Sequence, residues 1–349
     1  MDCGSCSVVP PIEDEGVLSW LPSPQELSAR LADAGWQVRQ KADAGSIPYG
    51  SKEELFTLLR TLRSWENENG SAAELSVSIS GDTRNAGLPR WFPLPELEAR
   101  FANMNLVELI ANREFCSYMQ PIVDEQERIA GFEMLLRPKP GGTEFKPYEL
   151  FEIAHQTGFH TFLDRAARIS AIESGARHLP AGIKRFINFL PSSIYNPKHC
   201  LTHTFATIDR LGQKPEDYVF EVVETEKIDD IDHLNRIFAE YRRQGVQVAL
   251  DDVGAGYSTV ELMSRLEPDY VKIDRSLVTD CDTDGGKQEK IASIVAKARA
   301  FGGTVLAEGI ERREEFRMCR EIGVHLGQGY LFGRPEPQPP TGLFAGVCT

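Results

Sequence analysis

The chain has 349 residues and an ordinary composition for a folded protein, with 41% hydrophobic and 26% charged residues and a formal net charge of -14. The acidic balance argues against a general affinity for double-stranded nucleic acid or for an anionic membrane, because such binding needs clustered Lys and Arg. No apolar run approaches the ~20 residues of a membrane span, and residues 1–16 lack the pattern of a signal peptide. We therefore expect a cytoplasmic protein with one barrel-sized domain and a smaller second one.

The seven cysteines are spread from Cys3 to Cys348, and their odd number in a chain of this length favours reduced thiols over a disulfide framework. Cys3 and Cys6 form a C-x-x-C pair, which is typical of half a zinc site or of a redox pair. No second such pair follows in the sequence, so a terminal segment without a chemical role is the simpler interpretation.

The first 90 residues predict a small α/β domain with a regulatory or dimerising role. The segment GVLSWL is predicted as a strand, and the next segment as a helix that begins at a Ser23 cap and ends at Gly35. WQVRQ and ELSVSIS are predicted strands. The helix predicted between them has Leu residues at helical spacing, namely Leu55, Leu58, Leu59 and Leu62. This part of the sequence does not indicate a reaction.

The next two segments connect this domain to the rest of the chain. The polar segment GDTRNAGLPRW, which contains Gly and Pro, is typical of a linker. Residues 91–114 are predicted to form a single linker helix.

From Phe115 to about residue 340, short apolar runs alternate with helical stretches of 15 or more residues, which predicts a (β/α)8 TIM-like barrel. The runs are CSYMQPIV, IAGFEMLL, RFINFL, YVFEVV, VQVALDD, YVKID, TVLAEGI and GQGYLFG. Each run carries polar residues at or beyond its apolar part, in order Gln120, Glu133, Asn188, Glu221, Asp251 with Asp252, Lys272, Glu308 and Gln328. Since the strand C-termini of such a barrel meet at one face, these positions should share one mouth.

Asp251 and Asp252 end the run VQVAL and precede a turn that contains Gly254 and Gly256. A helix cap would explain one such Asp. Two adjacent carboxylates at a strand end repel each other unless water or a cation screens them. A pair of divalent cations with oxygen ligands is the most productive screen.

The other polar residues also have simple explanations when each is taken alone. Asn188 could satisfy a turn, Glu133 could pair with Arg137, and Lys272 could form a surface pair with Asp274. Taken together, the carboxylates on four buried strands would each lower the free energy of unfolding by several kcal/mol if no positive charge compensated them. A divalent metal is the simplest compensation.

Eight motifs, in order from about Phe115 to Pro337, resemble the EAL family of cyclic di-GMP phosphodiesterases. YMQPI is similar to the family's YQPI segment, GFEMLLR to its E-A-L-x-R signature and INFLPS to its N-x-S-P segment. EVVET is similar to E-L-T-E-S and DDVGAGYS to D-D-F-G-T-G-Y-S, and VKID, AEGIE and QGYLFGRP match the remaining three. The resemblance implies hydrolysis of cyclic di-GMP to linear pGpG by water that two divalent cations activate.

The resemblance also implies a site of oxygen ligands, which suits Mg²⁺ or Mn²⁺ better than Zn²⁺. It assigns one ion to Glu133, Asn188, Glu221 and Asp251, and the other to Asp251, Asp252 and, directly or through water, Glu308. The implied catalytic group is Glu133, Glu308, Lys272 and Gln328. Within it, Lys272 would orient or deprotonate the water and Gln328 would position the water or the phosphate. Ca²⁺ should permit binding and inhibit turnover, since it activates water poorly.

For the substrate, cyclic di-GMP, the resemblance implies contacts from Gln120, Leu135, Arg137 and Asp164. Arg137 would bind a phosphate oxygen and Asp164 a guanine edge, although a helix cap is the alternative for Asp164. Glu224 is implied to hold the loop after Asp252 without binding metal.

The sequence departs from the family pattern at three positions, with Met134 in place of Ala, Val253 in place of Phe and Ala255 in place of Thr. No implied metal ligand is lost. The family's loop that includes Val253 and Ala255 joins the metal site to the dimer face, so the resemblance implies a homodimer through the barrel and an effect of both changes on rate. Two alternatives to an enzyme remain, a non-catalytic cyclic di-GMP receptor and a structural protein-interaction module.

Overall fold

The structure, a computed structural model, describes residues 12–70, 74–80, 90–222, 230–255, 259–340 and 343. Its first part is a five-stranded antiparallel sheet in the order β2-β3-β1-β4-β5. The elements of this part are β1 (Gly16–Leu21), α1 (Gln25–Asp33), β2 (Arg39–Lys41), β3 (Ala44–Tyr49), α2 (Lys52–Asn69), β4 (Ser76–Ser80) and β5 (Phe92–Pro93).

The core of this sheet is formed mainly by α2 and the apolar face of β1. The helix begins at Ser51, whose hydroxyl accepts a hydrogen bond from the backbone N–H of Glu54. The four Leu residues that predicted this helix are all fully buried against the sheet: Leu55, Leu58, Leu59 and Leu62. Their spacing places them on one face of the helix, as the sequence predicts.

In the sheet region one local prediction was wrong and one strand was missed. Ser23 does not cap α1: Pro24 holds the cap position without a side-chain bond, and the Ser23 hydroxyl lies 3.2 Å from that of Ser28. The strand β3 was not predicted, because Gly45 and Pro48 lower its strand propensity. Glycine is needed there, since a Cβ at Gly45 would lie 2.2 Å from the ring of Trp20.

The predicted linker helix is two helices, α3 (Leu94–Ala102) and α4 (Met104–Ala111), and Asn103 between them has a non-helical φ of -121°. Leu94 and Leu97 of α3 are buried in the core of the sheet. Leu109 and Ile110 of α4 are buried against the barrel side. Each helix therefore packs on a different part of the protein. Most of the predicted linker before them, residues 81–89, lies outside the described residues.

The second part of the chain is a closed barrel of eight strands, as the sequence predicts. Neighbours follow the order β10-β11-β12-β13-β6-β7-β8-β9. The strands are β6 (Phe115–Asp124), β7 (Ile129–Pro138), β8 (Lys184–Phe189), β9 (Tyr218–Val222), β10 (Gln247–Val253), β11 (Tyr270–Ile273), β12 (Thr304–Ala307) and β13 (Leu326–Gln328).

The first barrel strand departs from a regular alternation of strands and helices. Only residues 125–128 separate β6 from β7, and β6 pairs antiparallel with both β7 and β13. A parallel pair needs a crossover of about a dozen residues or more, so this hairpin forces the antiparallel direction. Consequently Gln120 lies in the middle of its strand, opposite Glu133, and it belongs to the mouth without being at a strand C-terminus.

The remaining strands are parallel and are connected by helices on the outside of the barrel. These helices are α5 (Pro147–Gln156), α6 (His160–His178), α7 (Pro197–Cys200), α8 (Thr202–Arg210), α9 (Ile231–Arg243), α10 (Val260–Leu266), α11 (Arg275–Val278), α12 (Gly285–Ala300) and α13 (Arg313–Ile322). Within the described part of the chain, none of the helices has the length and apolar character that crossing a bilayer requires.

Candidate active site

An apolar layer inside the barrel supports a polar layer at its mouth. The apolar layer consists of Ile122, Phe186, Val219, Ala249, Tyr270 and Leu306, with Leu326 packed against it. Each of these residues lies two positions from one of the polar residues predicted for the mouth. Because side chains two apart on a strand share a face, the polar residues also face the barrel interior. The fold therefore brings together positions that are up to about 200 residues apart.

Lys272 on β11 is the centre of the polar layer and is fully buried. Its Nζ lies 2.7 Å from Glu221 Oε2, 2.8 Å from Glu308 Oε1 and 3.0 Å from Asp251 Oδ1. Glu133 Oε1 is 3.8 Å away. Burial lowers the pKa of Lys272, but the surrounding carboxylates outweigh this effect and hold the pKa well above its usual value. The ammonium therefore stays protonated in this arrangement.

Glu133 on β7 is held by two amide side chains. Asn188 Nδ2 donates to its Oε1 at 3.0 Å, and Gln328 Nε2 donates to its Oε2 at 2.6 Å. Gln328 Nε2 also lies 3.1 Å from Gln120 Oε1, so these four residues form one network across the strands β6, β7, β8 and β13. The network fixes which end of each amide faces the site.

Three oxygen atoms of this layer are buried without a hydrogen-bond partner: Asn188 Oδ1, Glu221 Oε1 and Gln328 Oε1. A buried acceptor without a partner costs about 1–3 kcal/mol, so such atoms in a folded protein need an explanation. Asn188 and Glu221 are two of the ligands that the sequence implies for one cation. Their free oxygens fit a hard divalent cation, which binds oxygen ligands only.

The second implied group of ligands is also assembled. Oxygen atoms of Asp251, Asp252 and Glu308 all lie within 4.8 Å of one another, close enough to hold one metal ion. Asp252 adopts a left-handed φ of 52° where β10 shifts register against β11, and its N–H donates to Asp251 Oδ1 at 3.0 Å. This bulge turns two consecutive carboxylates toward the same mouth.

The electrostatics of the metal-free site favour a cation. Burial, followed by repulsion from Asp251, raises the pKa of Asp252 to about 7. Burial raises the pKa of Glu221 and of Glu308 well above the usual value for a carboxyl group. Five carboxylates, including Glu133, thus share one ammonium in this layer. Charges of one sign at this density are tolerated only with protons or added cations.

The simple explanations for three of the polar residues do not hold in the structure. Asn188 donates to Glu133 rather than to a turn. Glu133 bonds amide groups rather than Arg137. Asp274 accepts from the N–H of Ser276 at the start of α11 and is not the partner of Lys272.

The helix-cap explanation for the aspartate pair also fails. The helix that follows Asp251 and Asp252 is α10, and its cap is Thr259, whose hydroxyl accepts from the N–H of Leu262. Neither aspartate is needed to begin that helix.

Beside the polar layer lies an open cavity. The sequence anticipates some of the residues that line it, among them Gln120, Glu133, Leu135, Asp252, Glu308 and Gln328. Other lining residues were missed, notably Arg275, Glu311 and Tyr330. The missed residues directly follow or lie within the VKID, AEGIE and QGYLFGRP motifs, so proximity to a motif is the signal that could have found them.

Two of the residues expected to contact the substrate form hydrogen bonds within the protein. Arg137 is half-buried and donates from Nη1 to the carbonyl of Leu136 at 2.7 Å. Asp164 is buried on α6, where intramolecular donors occupy both of its carboxylate oxygens. The predicted contact of Asp164 with a guanine edge is therefore not supported, because no face of this carboxylate reaches solvent. Glu224 lies outside the described residues.

The geometry defines a (β/α)8 barrel with an oxygen-rich site at the mouth, and comparisons with known proteins place it among related chains. The family described as the EAL domain matches residues 103–335. The chain therefore belongs to the EAL domain family.

Among curated proteins, the chain is 30% identical over 237 residues to the Escherichia coli protein named "Probable cyclic di-GMP phosphodiesterase PdeG", across 65% of this chain and 45% of that protein. It is 29% identical over 238 residues to the E. coli protein named "Cyclic di-GMP phosphodiesterase PdeL", across 65% of this chain and 64% of that protein. The matched region thus spans less than two thirds of the length of either relative.

Among solved structures, a standalone EAL protein from Vibrio cholerae O395 in its c-di-GMP-bound form is 30% identical, with a TM-score of 0.59 over 65% of this chain and 94% of that chain. The Klebsiella pneumoniae protein BlrP1 is 24% identical and has a TM-score of 0.58. That match covers 92% of this chain and 96% of that chain, and it shows a likeness of fold that includes much of the N-terminal part.

Proposed function

We propose that this protein hydrolyses cyclic di-GMP to linear 5'-pGpG and uses two divalent cations, Mg²⁺ or Mn²⁺. The observation that carries the proposal is the pair of buried, unpartnered oxygens Asn188 Oδ1 and Glu221 Oε1 beside the cluster of Asp251, Asp252 and Glu308. The named relatives and the Vibrio cholerae structure support the choice of substrate.

The donor set favours Mg²⁺ or Mn²⁺ over Zn²⁺, because it contains carboxylates and one amide oxygen but neither His nor Cys. Glu133, Asn188, Glu221 and Asp251 would hold one ion, and Asp251, Asp252 and Glu308 the other. When bound, such ions supply an activated water and stabilise the charge on a phosphate.

The chain's own residues contribute charge balance and orientation. Lys272 is surrounded by carboxylates that keep it protonated, so its proposed role is to orient these groups and offset negative charge rather than to accept a proton. Gln328 donates to Glu133 from the side of the cavity, and Gln120 accepts from the same amide nitrogen of Gln328. Gln120 and Leu135 line that cavity and are available to the dinucleotide, and Arg137 is proposed to turn toward a phosphate oxygen when substrate enters.

The alternative function is a receptor that binds cyclic di-GMP and signals without hydrolysing it. A receptor needs the cavity but does not need the unpartnered oxygens or the dense carboxylate cluster, and these features favour the enzyme. A purely structural module would need neither the cavity nor the charge.

Binding and turnover measured separately would distinguish these functions. Calorimetry with cyclic di-GMP and Ca²⁺ should show binding, and chromatography after incubation with Mg²⁺ should show pGpG. Excess EDTA should stop the reaction. Binding without pGpG would support the receptor, and absence of binding would support the structural module. Undiminished turnover in EDTA and metal-free buffer would contradict the use of metal ions.

A matched pair of variants tests the position of the site. Asp251→Asn should lower turnover by about 10²-fold or more, because it removes a charge from both proposed ion positions. Asp282→Asn is the control, since Asp282 belongs to a second acidic cluster, with Asp280 and Glu315, that already binds Arg312. Equal losses in both variants would argue against the proposed site.

We also propose that the N-terminal part regulates the barrel or forms a dimer, with residues 1–90 as the domain and residues 91–114 as its connection to the barrel of residues 115–340. A truncated protein should begin at Asn103, because Leu94 and Leu97 of α3 belong to the sheet core. It should still bind cyclic di-GMP, since every proposed site residue follows Phe115. Sedimentation of the full and truncated proteins would test whether a dimer forms through the barrel. Loss of binding in a cooperatively melting truncated protein would contradict this division.

A further inference from the structure

Asp164 on α6 is a buried carboxylate. Its hydrogen bonds come from residues just after β8, and its ion pair is with a residue of its own helix. Only 2% of the residue is exposed. Its Oδ1 accepts from the backbone N–H of Leu190 at 2.9 Å, and its Oδ2 accepts from the hydroxyl of Ser193. Arg168 Nη2, one turn along α6, lies 2.9 Å from the same Oδ2.

Leu190 and Ser193 belong to the turn in which the chain leaves β8. Residues 191–193 form a short 3-10 helix directly after this strand. Asn188, which carries one of the unpartnered oxygens, lies two residues before Leu190. The bond from Leu190 to Asp164 therefore fixes the main chain at the point from which the Asn188 side chain projects into the site.

The Asn188 amide is consequently held from two sides. Its Nδ2 donates to Glu133 Oε1 at 3.0 Å, which orients the amide group, and Asp164 holds the following backbone. Together these contacts restrict the position of Asn188 Oδ1, which is buried without a partner. If the turn after β8 relaxed, the bond to Glu133 alone would have to hold the amide.

We propose that Asp164 is a positioning residue that holds Asn188 Oδ1 in place for a divalent cation. The inference rests on the proposed metal site but not on turnover of cyclic di-GMP. Residues that orient metal ligands through hydrogen bonds typically change metal affinity by 10- to 100-fold when they are substituted.

The same strand provides a matched control at its other end. Asp217 is also buried, accepts from the backbone N–H of Gly182 at 3.0 Å and lies 3.4 Å from the guanidinium of the fully buried Arg185. It therefore shares with Asp164 a backbone donor and a buried Arg, but it lacks a hydroxyl donor like Ser193. Arg185 is the second residue of β8 and Gly182 lies two residues before the strand, whereas Asn188 lies at the other end. Loss of the Asp217 carboxylate should lower the stability of the protein without changing the proposed metal site at the mouth.

The test compares Asp164→Asn, Ser193→Ala and Asp217→Asn in the full chain. Mn²⁺ affinity is measured by electron paramagnetic resonance of free Mn²⁺, and thermal unfolding is followed in EDTA. We expect Asp164→Asn to weaken Mn²⁺ binding about 10- to 100-fold, and Ser193→Ala to weaken it about fivefold, the equilibrium factor for one hydrogen bond. Asp217→Asn should melt at a lower temperature than the wild type but bind Mn²⁺ with unchanged affinity.

Two results would overturn the inference: wild-type Mn²⁺ affinity in Asp164→Asn, or an equal loss of affinity in Asp217→Asn. If Asp164→Asn does not fold, Ser193→Ala decides, and wild-type affinity in that variant would overturn the inference. A wild-type protein that fails to bind Mn²⁺ would instead contradict the proposed metal site, so the two failures are distinguishable.

Discussion

Buried charges are paired differently in two regions of the protein. These are the N-terminal sheet region, defined as β1–β5 with α1–α3, and the mouth of the barrel. In the sheet region each buried charge has its own partners. Glu66 pairs with Arg63 and accepts from the N–H of Leu75 at 2.8 Å. Arg100 pairs with Glu96 and donates to the carbonyl of Thr157 at 2.7 Å. At the barrel mouth, by contrast, Lys272 alone faces a group of carboxylates.

The difference separates charge that serves folding from charge that serves a site. A buried ion pair with matched partners is compatible with stability, whereas an excess of buried carboxylates is not. Among the residues that the structure describes, groups of three acidic residues close enough to bind a metal occur only in the barrel. Of these groups, the one around Asp280 lies among the outer helices of the barrel, and Arg312 pairs with all three of its carboxylates. The mouth is thus where the protein maintains charge that folding alone would disfavour.

The largest effect on the site is expected for Lys272→Met. The variant keeps the apolar volume but leaves the carboxylates of Glu221, Asp251 and Glu308 without their ammonium. Hydrolysis should fall about 10²- to 10³-fold, the usual loss when a group that stabilises charge is removed. The free energy of unfolding in EDTA should fall by about 3–5 kcal/mol, and Mg²⁺ should recover part of it. Product chromatography and thermal unfolding with and without EDTA measure both effects.

Arg185→Met is the control for this variant, because Arg185 is a buried cation at the opposite end of the barrel. It should destabilise the protein equally with and without Mg²⁺, and turnover should remain close to that of the wild type. If Lys272→Met retained turnover within about threefold of the wild type, a difference below ~1 kcal/mol, Lys272 would have only a structural role.

An intermediate effect is expected from pH. The pKa of Asp252 is about 7, raised from 3.8 by burial and by Asp251. A cation must displace the proton, so Mn²⁺ affinity should fall about fivefold from pH 7 to pH 6. In the metal-free protein, stability changes with pH in the direction opposite to Mn²⁺ affinity. Because the folded-state pKa is the higher one, stability should decrease as the pH rises from about 4 to about 7.

Asp252→Asn tests this dependence, since it removes the titrating group at the end of β10. Mn²⁺ titrations between pH 6 and pH 8 should give a flatter profile for the variant than for the wild type. Identical profiles would mean that another group controls metal binding in this range.

The smallest effect on the site is expected from the sheet region. Leu58→Ala removes a fully buried side chain and should lower stability by about 2–5 kcal/mol. Mn²⁺ affinity should not change, because Leu58 packs in a core separate from the site. Leu306→Ala is the contrasting variant, as Leu306 is paired in register with Lys272 inside the barrel, and it should lower both stability and Mn²⁺ affinity. A loss of Mn²⁺ affinity in Leu58→Ala above about fivefold would show that the sheet region shapes the site.

Most of the fold could be predicted because its signals are local. Four Leu residues at helical spacing predicted α2, and the eight apolar runs predicted the eight barrel strands. The elements that were not predicted correctly contain residues that weaken the local signal. Asn103 divides a segment that has Leu residues at helical spacing on both sides, and Gly45 and Pro48 lower the strand propensity of β3.

The candidate site could be predicted in its composition but not in its contacts. The residues at the ends of the apolar runs include every member of the polar layer around Lys272. Asp164 has the same residue type and motif context as a ligand-binding carboxylate. Its burial beneath the turn after β8, which no sequence pattern indicated, separates it from the cavity.

The sequence by itself determined the apolar runs of the strands, the polar residues at their ends and the motifs of the EAL domain family, because each of these features lies within a few neighbouring residues. The tertiary structure alone decided that β6 pairs with β13 to close the barrel, that Lys272 is enclosed by carboxylates and that Asp164 holds a backbone turn. Each of these facts depends on barrel closure, which joins residues such as Gln120 and Gln328 across 208 positions of the chain. Contacts at such separations leave no local pattern, since they arise from the packing of whole elements.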